Sequence, residues 1–157
     1  MPTARRSRTI RAPAGELWEI VRDPHHLPRW WPRVERIEDV IDGAFTEVMR
    51  TSKGKVVRAD FDLVSADERR RAMAWSQRVQ GTPFGRLLKS AVTEVRLEPV
   101  GPRSEEPVQA SGEATEVTIE LRQVLNGVFP RLGARMVRRA ACVTLDEALD
   151  GLERISA

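Results

Sequence analysis

The sequence is poor in the residues that most often carry covalent or metal chemistry. It has one cysteine, Cys142, no tyrosine, and two histidines, His25 and His26, which are adjacent. A single cysteine excludes an intrachain disulfide and is typical of a reducing compartment, so the sequence predicts a cytoplasmic protein. Neither histidine has cysteine or acidic partners at the spacing of a metal site. We therefore expect no metal and no cofactor.

Several functional motifs and targeting segments are also missing. The sequence contains no G-x-S-x-G element, no phosphate-binding loop and no dinucleotide fingerprint. No apolar run approaches the length of a membrane-spanning helix. Residues 1–8 are polar and basic, and no apolar segment follows them, which argues against a secretory signal.

The composition is that of an ordinary globular domain. Of 157 residues, 41% are hydrophobic and 31% are charged, which predicts one domain over 1–157 with a substantial core. The formal net charge is +3, but no basic run is interleaved with aromatic residues. The sequence therefore predicts no nucleic-acid partner.

A long amphipathic helix is predicted near the C-terminus, from Pro130 to Ile155. Proline suits the first helical turn, and no proline follows it. Apolar residues recur at three- and four-residue steps and form one stripe: Ala141, Leu145, Ala148, Leu152 and Ile155. Because the stripe is long and continuous, the helix needs a broad apolar partner surface.

Strands are predicted to supply that surface. A short strand at 7–11 is followed by a helix at 13–22 and a helical turn within 25–32. The pattern then changes to a period of two, with strands expected at 34–41, 45–51, 57–63, 71–79, 87–97 and 108–121. We therefore predict an α+β fold, in which a seven-stranded curved antiparallel sheet wraps around the C-terminal helix and leaves a hollow between them.

Two segments resemble the START-like, or SRPBCC, superfamily of helix-grip proteins, in particular its polyketide cyclase/dehydrase branch. The first comprises Ile10-Arg11-Ala12-Pro13, Leu17-Trp18, Val21, Asp23 and Trp30-Trp31-Pro32-x-Val34; the second comprises Pro130-x-Leu132, Ala148-Leu149 and Leu152. The resemblance covers essentially the whole chain. It implies a cavity between sheet and helix that binds apolar or amphipathic molecules. Some members act as aromatases or cyclases on polyketides, and others carry lipids, quinones or hormones.

The predicted cavity lining is rich in aromatic residues and methionine, which suit an adaptable apolar site. Trp30 and Trp31 lie in a proline-rich loop and are expected at the cavity mouth. The remaining candidates are Phe45, Met49, Phe61, Met73, Trp75, Phe84, Arg86, Leu88, Phe129, Leu132 and Met136. For Phe61, Met73 and Trp75, filling of the core is an equally good interpretation.

Polar chemistry in the predicted cavity is sparse. Resemblance to the aromatic polyketide enzymes implies an arginine and hydroxyl groups inside the cavity, but the inward series of residues 57, 59, 61 and 63 is wholly apolar. Arg86 is the remaining candidate for a polar contact at the entrance, and an exposed loop arginine is the alternative. Glu47 and Gln77 share faces with inward residues, although a strand bulge would turn either outward.

Three functions stay open. The first is a non-enzymatic carrier or sensor of a hydrophobic small molecule, and the second is an aromatase or cyclase that uses the same cavity. The third is an adaptor that contacts a protein or a membrane through the arginines of the C-terminal helix. Monomer and homodimer are both compatible with the sequence.

Overall fold

The computed structural model describes residues 3–101, 113–127 and 131–156. Seven strands and three α-helices make up the described chain. In order they are β1 (Thr3–Ile10), α1 (Ala14–Val21), a 3-10 turn (Pro24–His26), α2 (Leu27–Trp30), β2 (Val34–Ile41), β3 (Ala44–Arg50), β4 (Val56–Asp67), β5 (Ala72–Gln77), a 3-10 turn (Pro83–Arg86), β6 (Leu88–Val100), β7 (Ala114–Leu125) and α3 (Arg131–Ser156).

All seven strands form one antiparallel sheet in the order β1-β7-β6-β5-β4-β3-β2. Strands β2 to β7 follow one another in space as in sequence, and β1 closes the far edge beside β7. The curved sheet, the long C-terminal helix and the short helices between β1 and β2 confirm the predicted helix-grip architecture. None of the described helices is long and apolar enough to cross a membrane.

Four strands are longer than the alternating pattern indicates. Strands β4 and β6 end at Asp67 and Val100, four and three residues beyond their predicted ends. Strand β1 begins at Thr3 rather than at Ser7, and its arginines Arg6 and Arg8 point toward α3 instead of solvent. Strand β7 continues to Leu125, four residues beyond its predicted end. The predicted start of β7 at Val108 lies outside the described residues. The extensions of β1 and β7 were not predicted, because their charged and amide side chains interrupt the apolar alternation.

The second half of α3 packs on the inner face of the sheet, which is the face covered by the helices. Its buried residues are Ala141, Cys142, Leu145, Ala148, Leu149, Gly151 and Leu152. They belong to the same core cluster as Val95, Leu97, Val117 and Ile119 of β6 and β7. Fully burying one aliphatic side chain stabilises a protein by about 1.5–3 kcal/mol, so this half anchors the helix. Cys142 is a buried free thiol, as predicted.

The acidic residues in this half of α3 are paired with strand β1. Asp146 lies 3.1 Å from Arg6, and Asp150 pairs with Arg8. Carboxylates near a helix C-terminus oppose the helix dipole by a few tenths of a kcal/mol. The two arginines supply opposite charge at this point and offset that cost, and they fix the helix along the β1 edge.

Helices α2 and α3 approach each other closely at Gly151. A Cβ atom built on Gly151 would lie 2.2 Å from the carbonyl oxygen of Trp30 and 2.9 Å from its Cα. Any side chain at this position would therefore push α2 away from α3. Because Trp30 is the last residue of α2, the glycine determines where the Trp30-Trp31 pair lies.

We expect Gly151→Ala to destabilise the protein by several kcal/mol, since the new methyl group would meet rigid backbone rather than a flexible side chain. Urea denaturation measures the change. Gly15→Ala is the matched control, because its Cβ would lie 3.9 Å from the nearest atom, the end of Arg71. That substitution should be neutral or stabilising by up to about 1 kcal/mol. Equal effects of the two substitutions would contradict the close approach.

Candidate functional site

The register of the sheet defines which side chains face its interior. Directly paired residues of an antiparallel sheet point to the same side. One row across the inner face runs from Phe45 through Phe61 to Gln77, and the next runs from Trp75 through Thr93 to Leu121. Aromatic side chains thus face the interior on β3, β4 and β5, whereas β6 and β7 contribute aliphatic ones under the second half of α3.

The N-terminal part of α3, residues 132–140 and called its first half here, is not buried in the core. No residue from 132 to 140 is buried, in contrast to the second half of the same helix. The Arg138 Nε donates a 3.0 Å hydrogen bond to the carbonyl of Thr3, which pairs with Arg122 of β7. The first half therefore lies at the end of the sheet that carries Gln123 and Leu125. At this end the inner face is not sealed by the helix as it is at the other end.

A pocket opens beside the two indoles at the end of α2. Its volume is about 390 Å³, and its lining residues are Pro28, Arg29, Trp30, Trp31, Pro32, Arg33, Val34, Glu147, Asp150 and Arg154. The rings of Trp30 and Trp31 pack edge to face with their centroids 5.4 Å apart. Arg33 has a φ of 65°, a strained conformation for a residue with a side chain, at the turn into β2.

A second, more apolar pocket lies on the other side of α2. It has a volume of about 190 Å³ and is lined by Val21, Arg22, Pro24, Leu27, Val40, Gly43, Ala44, Phe45, Leu63, Met73 and Trp75. Trp31 contacts Trp75 edge to face, with centroids 6.1 Å apart. Because Trp31 lines the first pocket and Trp75 the second, this indole pair separates the two spaces.

The structure places five of the predicted site residues at these pockets. Trp30 and Trp31 line the first; Phe45, Met73 and Trp75 line the second. Phe61 stacks on Phe45 at 5.3 Å with an interplanar angle of 11°, within the core. The aromatic residues of β3, β4 and β5, which are Phe45, Phe61 and Trp75, therefore fill the core, and Phe45 and Trp75 also border the apolar pocket.

Three further candidates lie in or against the core without lining either pocket. Met49 is half-buried against the main cluster. Leu88 is buried with Val79 and Ala91 in a smaller cluster, and Phe84 packs against both clusters. Phe129 lies outside the described residues.

The structure requires a correction for three candidates. Leu132 and Met136 are 70% and 65% exposed, and at 100° per residue they lie opposite the buried stripe of α3. Their spacing indicated a second apolar face, but that face points outward. Arg86 is exposed in a 3-10 turn, which agrees with the alternative of a surface arginine. None of the three is placed to contact a molecule in the interior.

Glu47 is the polar residue that the sequence argument left undecided. It is only 3% exposed and lies on the inner face, where Ile37 and Ala59 are its direct cross-strand neighbours. No described group donates a hydrogen bond to its carboxyl or forms an ion pair with it. Burial alone raises the pKa of Glu47 to about 8, so the carboxyl is neutral at pH 7. In the sequence, the inward orientation of Glu47 is indicated by its position two residues from Phe45 and two from Met49 on an alternating strand.

Two glutamine side chains add further polar atoms to the inner face that carries Glu47. The Nε2 atom of Gln77 and the Oε1 atom of Gln123 are buried and have no hydrogen-bond partner. Gln77 pairs with Phe61, and Gln123 pairs with Ala91. Both glutamines therefore face the interior, at the end of the sheet where the first half of α3 is not packed.

The described interior residues include groups that can hydrogen bond to a ligand, and they include no evident metal site or activated nucleophile. They contain no group of three histidine, cysteine or acidic residues that could hold a metal ion. His25 is exposed and hydrogen bonds to Asp23, two residues away. A neutral carboxyl and two amides can orient the polar end of an apolar molecule, whereas no nucleophile with an adjacent base is found among them.

The raised pKa of Glu47 predicts a specific dependence of stability on pH. The folded protein keeps a proton that the unfolded chain releases above about pH 4.5, so stability should fall as pH rises from about 4.5 to about 8. One pKa unit corresponds to about 1.4 kcal/mol, so the loss should reach a few kcal/mol. Urea denaturation of wild type and Glu47→Gln across this interval measures it, because glutamine cannot lose a proton.

The free energies of the two proteins should diverge with rising pH, with Glu47→Gln becoming relatively more stable. Gln77→Leu is the matched control from the same interior, and it should keep the wild-type slope because it removes no titrating group. Parallel curves for wild type and Glu47→Gln would show that Glu47 is not buried as a neutral acid.

Comparison with known proteins now identifies the family. The profile of the family described as "Polyketide cyclase / dehydrase and lipid transport" matches residues 1–156. The chain belongs to this family. No curated protein matches the sequence significantly.

Solved structures share the fold at low sequence identity. A START superfamily protein from Mycobacterium smegmatis superposes with a TM-score of 0.74 at 15% identity, covering 98% of this chain and 96% of that one. The di-domain aromatase/cyclase BexL from the BE-7585A biosynthetic pathway gives 0.77 at 20% identity, with 98% and 46% coverage. The ZhuI aromatase/cyclase from Streptomyces sp. R1128 gives 0.72 at 16% identity, with 98% and 92% coverage. At these identities the likeness establishes the START-like fold.

Proposed function

We propose that the protein binds an apolar or amphipathic small molecule between the sheet and α3 and acts as its carrier or sensor. One observation carries the proposal: residues 132–140 of α3 are not buried, while Gln77 Nε2 and Gln123 Oε1 on the inner face at that end of the sheet have no hydrogen-bond partner. A domain that needed α3 only as a core element would bury its whole length. The family description, which includes lipid transport, agrees with this function.

The two pockets beside α2 support access to the interior. The pocket beside Trp30 and Trp31 has a volume of about 390 Å³ and is a surface cleft, because exposed charged residues of α2, the turn after it and α3 form much of its lining. The smaller pocket is bordered by Phe45, Met73 and Trp75, which give it an apolar wall. Trp31 lines the first pocket and contacts Trp75, which lines the second.

An aromatase or cyclase activity is the second candidate. The family description and the two aromatase/cyclase structures favour it, and so does a neutral carboxyl at Glu47 that can donate a hydrogen bond. Against it, Arg86 is exposed and supplies no interior cation. Turnover of a poly-β-keto substrate analogue that is lost in Glu47→Gln would favour the enzyme over the carrier.

Saturable uptake of a neutral apolar probe tests the binding function. We expect N-phenyl-1-naphthylamine to bind the folded protein with enhanced fluorescence. Trp31→Ala should weaken that binding by about two- to tenfold, because an aromatic contact is worth about 0.5–1.5 kcal/mol. Met136→Ala is the control, since Met136 lies on the outer side of α3. Its affinity should equal that of wild type.

The proposal fails if the folded wild-type protein shows no saturable binding of this probe. It also fails if Met136→Ala weakens binding as much as Trp31→Ala does, because the probe would then occupy the outer surface of the helix. Thermal unfolding of each variant shows whether it is folded under the conditions of the titration.

A further inference from the structure

The side of α3 that points away from the sheet, called its outward side here, carries an apolar stripe. Leu132, Met136 and Val143 are each more than half exposed. They recur at four- and seven-residue steps, so they lie on one side of the helix, opposite the buried stripe. Scattered apolar residues are ordinary on a protein surface, but aligned ones form a contiguous patch, and such patches are typical of contact surfaces.

The charges of α3 divide along the length of the helix. From residue 132 to residue 145 the charged residues are Arg135, Arg138 and Arg139; from residue 146 onward they are Asp146, Glu147, Asp150, Glu153 and Arg154. This order opposes the helix dipole, which favours acids near the N-terminus and cations near the C-terminus. Arginines of β1 offset part of the cost, because they pair with Asp146 and Asp150.

Three charged side chains of α3 lack an ion-pair partner within the described chain. They are Arg135, Arg139 and Glu147, and all three are exposed. Arginines on the outer face of the sheet differ in this respect, as Arg122 shows by lying 3.2 Å from Glu94. The two unpaired arginines and the unpaired glutamate are therefore available to meet opposite charges on another molecule.

A second copy of the chain supplies both opposite charges when its α3 lies antiparallel to the first. A two-fold axis places the N-terminal part of each helix against the C-terminal part of the other. When this axis crosses α3 close to Val143, Glu147 of one copy lies within one helical turn of the level of Arg139 of the second copy. Arg135 follows about one turn further along. The apolar stripe and the unpaired charges thus find partners in one geometry.

An anionic membrane fits the outward side of α3 less well than a second copy does. It would attract Arg135 and Arg139, but it would repel Glu147 and Asp150, which are exposed on the same side of the helix. A surface with one sign of charge therefore matches only one part of the helix. The antiparallel second copy matches both parts, and this charge complementarity selects it as the partner.

We propose that the outward side of α3 is the interface of a homodimer, in which the two helices lie antiparallel about a two-fold axis close to Val143. Leu132, Met136 and Val143 form the apolar part of the interface, and Arg139 of each copy faces Glu147 of the second copy. Residues 132–154 span about 33 Å of a helix about 10 Å wide, so each copy contributes about 300–400 Å². Standard stable interfaces bury about 800 Å² per partner, so the dimer is weak. The interface does not depend on the proposed binding function.

Sedimentation velocity of the full chain between about 5 and about 500 µM measures the dimer. The sedimentation coefficient of wild type should rise with concentration from the monomer value toward the dimer value. Val143→Lys should raise the dissociation constant at least about tenfold, because it places two like charges in the apolar centre of the contact. Val64→Lys is the matched control, since Val64 is an equally exposed valine on β4, and it should dimerise as wild type does.

Charge reversal tests the antiparallel arrangement. The double variant Arg135→Glu/Arg139→Glu and the single variant Glu147→Arg should each dimerise at least about tenfold more weakly than wild type, because the facing charges then repel. A one-to-one mixture of the two variants should form a heterodimer with an affinity close to that of the wild-type dimer, because every substituted residue then faces an opposite charge. In a parallel pair of helices each residue would face its own copy, so neither variant alone would lose affinity.

Two results would overturn the interface. Wild type that stays monomeric up to about 500 µM rules out the second copy. Flotation of that monomer with vesicles containing phosphatidylglycerol, lost in Arg135→Glu/Arg139→Glu, would then assign the outward side of α3 to a membrane. A dimer that is indifferent to Val143→Lys and to both charge reversals uses another surface. Thermal unfolding verifies that each variant is folded, as expected for substitutions at exposed positions.

Discussion

The packing of the second half of α3 against β6, β7 and β1 is the interaction on which the rest of the molecule depends. Leu145, Leu149 and Leu152 are almost completely buried, and arginines of β1 pair with Asp146 and Asp150 on the flank of the helix. Gly151 lets α2 contact the same helix at backbone distance, which fixes the Trp30-Trp31 pair. Because the helix is held firmly at this end, its first half need not pack into the core.

The polar groups of the inner face differ between the part of the sheet under the packed part of α3 and the opposite end. Val95, Leu97, Val117 and Ile119, under the anchored half, leave no buried polar atom to satisfy, and Thr115 is satisfied by a 2.8 Å hydrogen bond to the carbonyl of Ala12. Four buried atoms of the described residues have no hydrogen-bond partner: Gln77 Nε2 and Gln123 Oε1 toward the other end of the sheet, and the indole Nε1 atoms of Trp18 and Trp30 in the main core. A buried unpaired group costs about 1–3 kcal/mol, which is a large share of the stability of a domain of this size. A ligand-binding function gives that cost a physical reason.

Much of the architecture could be predicted from the sequence, because its strongest patterns concern elements with a clear periodicity. The stripe of α3 and the alternation of β4 predicted elements that the structure contains. Trp30 and Trp31 line the pocket beside α2, but Trp30 is also buried in the core, so a cavity mouth at this pair stays a prediction. Leu132 and Met136 were misassigned because an apolar spacing does not reveal which side of a helix faces the core when two sides carry apolar residues. Glu47 was left undecided for a related reason. In the sequence Glu47 shares a face with Phe45 and Met49, but a strand bulge would turn it outward, and the pairing with Ile37 and Ala59 shows that it faces inward.

The ionisable groups of the interior bear on the choice between a binding protein and a cyclase, whereas the fold is compatible with both. A ring closure between a carbonyl and a neighbouring carbon needs an acid for the oxygen and a base for the carbon-bound proton. Glu47 can act as the acid, since burial raises its pKa to about 8. A base beside it would have to be charged or readily protonated, and it would shift the Glu47 pKa by charge as well as by burial. Burial is the sole cause of the shift, so among the described residues the carboxyl has no such partner. Among the described residues Glu47 therefore has no acid–base partner, and a cyclase reaction would need one in addition to this carboxyl.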